Sequence, residues 1–284
     1  MSKLTYGLIG HPVKHSLSPA MHNAAFKSLG IDAEYSIFDV EPADLDRFLG
    51  DLAAEKISGL NVTIPHKINA GIYVERHGSL DGSARKLGAV NTIKIDGRTL
   101  CGFNTDGPGF YRSLVEELKF EPEGKDIFIL GAGGAGQAIA MYLGNGPRKI
   151  FLSDVDAKKA AILSAHFSKY YEEKKLEIVD PKNIEPALAG SQLLVNATPI
   201  GMKDEDALPI DASLLHPGLY VYDLVYNRPV TPLVKEATRK RLRAVTGLGM
   251  LLYQGAIAFE IWTGKKAPVA VMRRALKEAL KASS

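Results

Sequence analysis

Residues 126–144, DIFILGAGGAGQAIAMYLG, leave the chain few choices of fold. An apolar run of strand length meets GAGGAG and passes into small residues that suit a helix (Gln137, Ala138, Ala140). The pattern G-x-G-x-x-G is weak alone, because a glycine-rich turn is often only a turn. Between a strand and a helix each glycine acquires a physical reason. Gly131 permits the tight turn, Gly133 lets the backbone approach a pyrophosphate, and Gly136 allows the helix to pack closely on the strand. The first N–H groups of the helix then face an anion. The loop Gly131, Ala132, Gly133, Gly134, Ala135 and Gly136 is therefore read as a dinucleotide site on a Rossmann-type βα unit.

The rest of the chain agrees with an α/β fold of two domains. KIFLSD (149–154), LEIVD (176–180), QLLVNAT (192–198) and YVYDLVY (220–226) supply further strands around the glycine turn, with helical runs between several of them. In the first hundred residues, strands at 4–10, 34–40 and 59–64 alternate with helices at 18–30 and 42–53. That βαβαβ order implies a parallel sheet covered on both faces. AVNTIKI (89–95) adds a strand after a short helical stretch at 83–87. The boundary is expected within 107–124, with GFYRSLVEEL (109–118) as a bridging helix, which divides residues 1–107 from 108–247. The last forty residues read as helices. Two domains imply a cleft, the usual place for a ligand.

Composition closes off several function classes. The 284 residues carry a formal charge of +3, and no Lys/Arg stripe is interleaved with aromatics, so nucleic acid is not an expected partner. The basic cluster Arg239, Lys240, Arg241 and Arg243 sits where a helix is expected to end, where cations complement the dipole. One cysteine, Cys101, excludes an internal disulfide and a Cys-rich metal site, and no metal is expected. No segment reaches the length of a membrane span, and the N-terminal apolar run is too short for a signal peptide. The expectation is a cytoplasmic protein that binds a small molecule without membrane or nucleic acid; a homodimer is one assembly compatible with it.

Two stretches bring chemistry to strand ends. In GHPVKHSLSPAMHN (10–23), Ser16 and Ser18 place two hydroxyls at a helix start, a grip suited to a carboxylate. Ser18, before Pro19, is equally an ordinary N-cap. In GLNVTIPHKI (59–68), His66 and Lys67 follow the end of a strand, where a lysine can be a solvated helix-start charge, an anion clamp or a proton-transfer group. Asp106 in NTDGPGF has the bland alternative of a cap. His15, His22 and His66 compete for the proton role, which histidine usually fills. Asn61 is assigned to the turn after its strand, and His22 and Asn23 to local structure.

These stretches, with GAVNT (88–92), GFNTDGPGF (102–110), NATPIGM (196–202) and GLGMLLYQGAIAFEIW (247–262), make the chain resemble the shikimate dehydrogenase family from its first strand to its last helices. The resemblance implies a substrate domain at residues 1–107, completed by returning helices in 248–284, and a Rossmann domain at 108–247. It implies reversible hydride transfer between a nicotinamide cofactor and the ring hydroxyl that becomes the ketone of 3-dehydroshikimate, with quinate as a related substrate. By position it implies Lys67 and Asp106 as the catalytic pair and Ser16 and Ser18 as the carboxylate grip. Thr63, Asn91 and Gln254 match groups facing the ring hydroxyls, and Tyr226 one near the carboxylate. Asn196, Thr198, Met202 and Gly249 fall on the nicotinamide side. It moves the proton role from the histidines to Lys67. A ligand-sensing module on the same scaffold is the alternative from another class, and it would be expected to lack this pair.

One segment departs from the family pattern. Typical NADP-dependent members carry Asn-Arg-Thr after the second Rossmann strand, and Ser153, Asp154 and Val155 stand there instead. A carboxylate suits two ribose hydroxyls and repels a 2′-phosphate, which Lys158 or Lys159 would offset only in part. The implied cofactor is NAD, with NADP at lower preference. Asp154 and Asp156 are both candidate caps for the helix near Ala157.

Overall fold

The computed structural model describes residues 3–52, 56–97, 99–203 and 205–283. The chain divides into two compact units, one running through Asp106 and resuming over Leu252–Ser283, the other Gly107–Leu251.

In the first unit, β1 (Leu4–Gly10), α1 (Ser18–Ser28), β2 (Ala33–Asp39), α2 (Leu45–Gly50) and β3 (Ile57–Val62) form the expected alternation, with β1 parallel to both β2 and β3. The chain continues through α3 (Lys67–His77), β4 (Gly78–Leu80), α4 (Gly82–Leu87), β5 (Thr92–Asp96) and β6 (Thr99–Phe103). The sheet order is β2-β1-β3-β5-β6-β4, and β5 is antiparallel to β3 and β6. The three strands of the expected βαβαβ alternation are parallel, and the added β5 makes the six-stranded sheet mixed. The segment joining β5 to β6 is too short for a crossover and returns antiparallel, as hairpin-length connections do.

A core of Ile9, Leu45, Leu60, Val74, Val90 and Ile93 lies on one side of this sheet. On the other, α10 (Leu248–Thr263) contributes Phe259 and Trp262 from the part of the helix that belongs to this unit, and α11 (Val269–Ser283) packs on α1. The Trp262 indole donates to the Ile93 carbonyl at 3.0 Å and occupies the space a side chain at Gly59 would need. Tyr6, Phe26, Tyr35 and His22 complete an aromatic layer around it.

The second unit takes α5 (Asp106–Ser113) from its second residue onward. It then holds β7 (Asp126–Leu130), α6 (Gly134–Leu143), β8 (Lys149–Ser153), α7 (Ala157–Phe167), β9 (Leu176–Ile178), α8 (Glu185–Ala189), β10 (Leu193–Asn196), β11 (Tyr220–Asp223), α9 (Pro232–Arg239) and β12 (Ala244–Thr246). All six strands are parallel in the order β12-β11-β10-β7-β8-β9. Counted from β7 this is the 3-2-1-4-5-6 order of a Rossmann sheet, and the glycine turn after β7 lies at the point where strand order reverses.

Candidate active site

Lys67 is the first residue of α3 and Asp106 the first of α5. A cation at a helix start opposes the dipole, so this lysine is not placed for the stability of its own helix. Nor is it solvated: its Nζ donates to Asp106 Oδ2 at 2.6 Å, with the two side chains 24% and 9% exposed. The other oxygen, Asp106 Oδ1, accepts the Asn91 amide N–H at 2.8 Å. Asn91 is buried, and its Oδ1 accepts the Thr105 backbone N–H at 2.8 Å and the Thr92 hydroxyl at 3.0 Å. Its Nδ2 also donates to Thr105 Oγ1 at 2.9 Å. Asp106 is not a bare cap: its own N–H donates to Asn104 Oδ1 at 3.1 Å, which ties the helix start to the loop before it.

Asn61 does not hold the turn assigned to it. It lies within β3, accepts the Tyr35 hydroxyl at 2.7 Å, and donates to the Asn91 carbonyl at 3.2 Å and Thr92 Oγ1 at 3.1 Å. Its side chain is therefore drawn across the sheet toward β5. Thr63 follows β3 and extends its pairing, donating its N–H to the Ile9 carbonyl at 2.9 Å. Gln254 is half-buried on α10.

At α1 the N-cap is Leu17 with no side-chain hydrogen bond, and Ser18 is already helical, so the capping role considered for Ser18 is not realised. Ser16 Oγ instead accepts the Ser18 N–H at 3.2 Å, leaving the Ser16 hydroxyl hydrogen for another acceptor. Asn23 clamps the backbone of Tyr35 through two hydrogen bonds. The three histidines differ in their surroundings. His66 Nε2 donates to the Val40 carbonyl at 2.7 Å, and His15 is exposed. His22 is fully buried, stacked on Tyr35 at 4.4 Å, and burial pulls it down to about 3.

In the second unit the glycine turn has the expected shape. Gly131 adopts φ +98°, and a Cβ at Gly136 would fall 2.0 Å from the Gly131 carbonyl oxygen. Around Gly133 and Gly134 the space is open, and the first N–H groups of α6 lie beside it. A backbone cradle with room for an anionic group fits the pyrophosphate of a dinucleotide.

Asp154 is half-buried after β8; its Oδ2 accepts the Ala132 N–H at 2.6 Å and its Oδ1 the Asp156 N–H at 2.8 Å. The cap of α7 is Asp156, which accepts from Lys158 and Lys159, so Asp154 is a fixed anion on the loop and not a cap. Lys158 is exposed, and the Lys159 ammonium lies 3.8 Å from Asp156.

Asn196 is buried at the end of β10, where its Oδ1 accepts the N–H and hydroxyl of Thr198 and its Nδ2 donates to the Ile200 carbonyl and Asp223. The Met202 carbonyl accepts from Asn227 and Arg228, and neighbouring Tyr226 is 39% exposed. Gly249 packs on α5, where a Cβ would meet the Ser113 hydroxyl. The sequence reading missed Asp223, the buried partner of both Asn196 and Thr231. Its signal is an aspartate inside the apolar run YVYDLVY. Among the described residues no group of His, Cys, Asp or Glu is arranged to hold a metal, and no helix is long and apolar enough to cross a membrane.

A Rossmann unit with an open glycine turn, carried in one chain with an α/β unit that shelters a lysine–aspartate pair, defines a two-domain dinucleotide-dependent oxidoreductase. Residues 8–93 match the family described as the shikimate dehydrogenase substrate binding domain, and residues 247–277 the shikimate 5'-dehydrogenase C-terminal domain. The chain is 47% identical over 279 residues to the shikimate dehydrogenase (NADP(+)) of Methanopyrus kandleri, covering 97% of this chain and 95% of that protein. It belongs to the shikimate dehydrogenase family. A crystal structure of a shikimate dehydrogenase in complex with NADP+ superposes with a TM-score of 0.91 at 40% identity, covering 98% of this chain and 96% of the other. A Listeria monocytogenes shikimate 5-dehydrogenase in complex with shikimate and NAD superposes with a TM-score of 0.88 at 35% identity, covering 96% of each chain.

Proposed function

We propose that the chain catalyses the reversible oxidation of shikimate to 3-dehydroshikimate and prefers NAD to NADP. The observation that supports the chemistry best is the 2.6 Å contact between the Lys67 ammonium and an Asp106 carboxylate whose second oxygen is held by Asn91. The nicotinamide, when bound, accepts or supplies the hydride. The protein's own task is to move one proton at the ring oxygen. In the reductive direction Lys67 delivers a proton to that oxygen as the ketone becomes a hydroxyl; in the oxidative direction the amine takes it back. Asp106 fixes where the amine stands. Ser16 and Ser18 receive the substrate carboxylate, with Ser16 the better placed donor because its oxygen already accepts the Ser18 N–H. Thr63, Asn91 and Gln254 are assigned to the ring hydroxyls.

In the cofactor half, residues 131–136 cradle the pyrophosphate, and Asn196, by holding Thr198 and the Ile200 carbonyl, shapes the nicotinamide side together with Met202 and Gly249. The NAD preference rests on Asp154. Both of its oxygens are tied to backbone N–H groups of the loop, so the charge cannot swing away from a ribose placed there. A like charge about 5 Å away costs about 3 kcal/mol at an effective dielectric of 20. The exposed Lys158 and Lys159 recover part of this for a 2′-phosphate.

Steady-state assays with shikimate and with quinate, each with NAD and with NADP, test the reading. The expected result is turnover of shikimate with a higher kcat/KM for NAD. A clear NADP preference would assign the ribose site to the lysines, and turnover of quinate alone would overturn the substrate.

A further inference from the structure

Behind the Lys67–Asp106 pair runs a series of buried polar side chains that touch neither the amine nor, apart from Asn91, the aspartate. Tyr35 is fully buried, its backbone clamped by Asn23 and its ring stacked on His22. Burial raises its phenol, which keeps it a hydroxyl donor. Asn61 must turn its amide nitrogen toward the Asn91 carbonyl, which can only accept, and therefore offers its oxygen to the Tyr35 hydroxyl at 2.7 Å. The same nitrogen donates to Thr92 Oγ1 at 3.1 Å. Thr92 then has one hydrogen left, and Asn91 Oδ1 at 3.0 Å is a nearer acceptor than Thr105 Oγ1 at 3.5 Å. With that hydrogen and the Thr105 backbone N–H both on Asn91 Oδ1, the amide nitrogen is turned to Asp106 Oδ1. A reversed amide would set a carbonyl oxygen against a carboxylate.

We infer that Tyr35, Asn61 and Thr92 are positioning residues for the reaction: each donates to the next, Tyr35 to Asn61 to Thr92 to Asn91 to Asp106, and this one-way chain fixes the face that Asn91 presents to the aspartate. The inference rests on reading Lys67 and Asp106 as the proton-transfer pair.

The test uses the full-length enzyme with shikimate and its preferred cofactor, measuring kcat, KM and thermal midpoint together. Thr92→Val keeps the shape and removes the hydroxyl; kcat falls roughly 10-fold while the shikimate KM moves less than about 3-fold. Thr92→Ser restores the hydroxyl and most of the kcat, although it too loses a buried methyl. Tyr35→Phe leaves the stacked ring in place and lowers kcat roughly 3-fold, and in the double variant with Thr92→Val it adds nothing further to the kcat loss. A purely structural role would give additive losses and no rescue by serine. Unchanged kcat in Thr92→Val, failure of Thr92→Ser to rescue, or additivity overturns the inference. If Thr92→Val does not fold, Tyr35→Phe decides alone, and an unchanged kcat overturns it. An inactive wild type overturns the functional reading and this inference with it, whereas an active wild type beside an unaffected Thr92→Val overturns the inference only.

Discussion

Asp106 in the first unit and Asp223 in the second are held by the same fixture. Each is a buried carboxylate, Asp106 at the start of α5 and Asp223 at the end of β11, gripped by an asparagine amide, Asn91 at 2.8 Å and Asn196 at 2.9 Å. The difference lies in the second partner. Asp106 is paired with the Lys67 ammonium, whereas Asp223 is met by the Thr231 hydroxyl at 2.6 Å and the Val225 N–H at 3.2 Å. Burial pushes the Asp223 carboxyl up, and the hydrogen bonds from Thr231, Val225 and Asn196 only partly counter that. A buried aspartate joined to a lysine can take part in moving a proton. One joined to a threonine that caps α9 and an asparagine that shapes the 196–202 loop holds structure in place. What stands beside each carboxylate separates the proposed chemistry from the scaffolding: an ammonium at Asp106, a hydroxyl and a backbone N–H at Asp223.

A third buried group, His22, sets the outer limit of that comparison, since neither ring nitrogen has a hydrogen-bond partner among the described residues. Its value is lowered by burial to about 3, so the folded state favours the neutral ring. For a depressed value the stability is complete above the unfolded value near 6.5 and is lost as the pH falls toward 3. The shift corresponds to roughly 5 kcal/mol across that window. Denaturant unfolding from pH 7 to 3.5 should show a steep loss for the wild type and a flatter one for His22→Phe, and equal slopes would contradict the assignment.

Next in size is Ser16→Ala, which removes the donor proposed for the substrate carboxylate. Binding should weaken by about 1.5–3 kcal/mol, read as a raised shikimate KM, with a small fall in thermal midpoint from the lost acceptor of the Ser18 N–H. A normal KM would mean that the serine pair does not hold the carboxylate. The smallest effect belongs to the second unit: Thr231→Ala removes both the α9 cap and a donor to Asp223. Unfolding should become easier by about 1–2 kcal/mol while the shikimate KM stays put. If the KM moves and the stability does not, the division between the two aspartates is wrong.

Much of this could be read from the residues, and the failures have physical causes. The GAGGAG turn, the strands around it and the terminal helices were legible because backbone constraints and apolar periodicity write themselves into composition. Helix α3 left no such signal. Its exposed face carries Ile68 and Ile72 while Ala70, Gly71 and Val74 face inward, which blurs the amphipathic pattern. The three-residue strands β4 and β12 are too short for alternation to be recognised, and β6, TLCGF, carries a glycine on its buried side in place of an apolar side chain. In the site, Lys67 and Asp106 were nameable only through the family resemblance, because NVTIPHK alone suggests a solvated lysine. Tyr35, Asn61, Thr92 and Asp223 were misassigned or missed, since their roles depend on neighbours brought together across strands and not on spacing along the chain.

The central claim is that Lys67, set against Asp106, moves the substrate proton. Lys67→Ala measures it most directly, in steady-state assays of shikimate oxidation with the preferred cofactor. Turnover is expected to fall by roughly 100-fold or more while the shikimate KM changes little. A variant with near-normal kcat and only a raised KM would contradict the account and make Lys67 a binding residue.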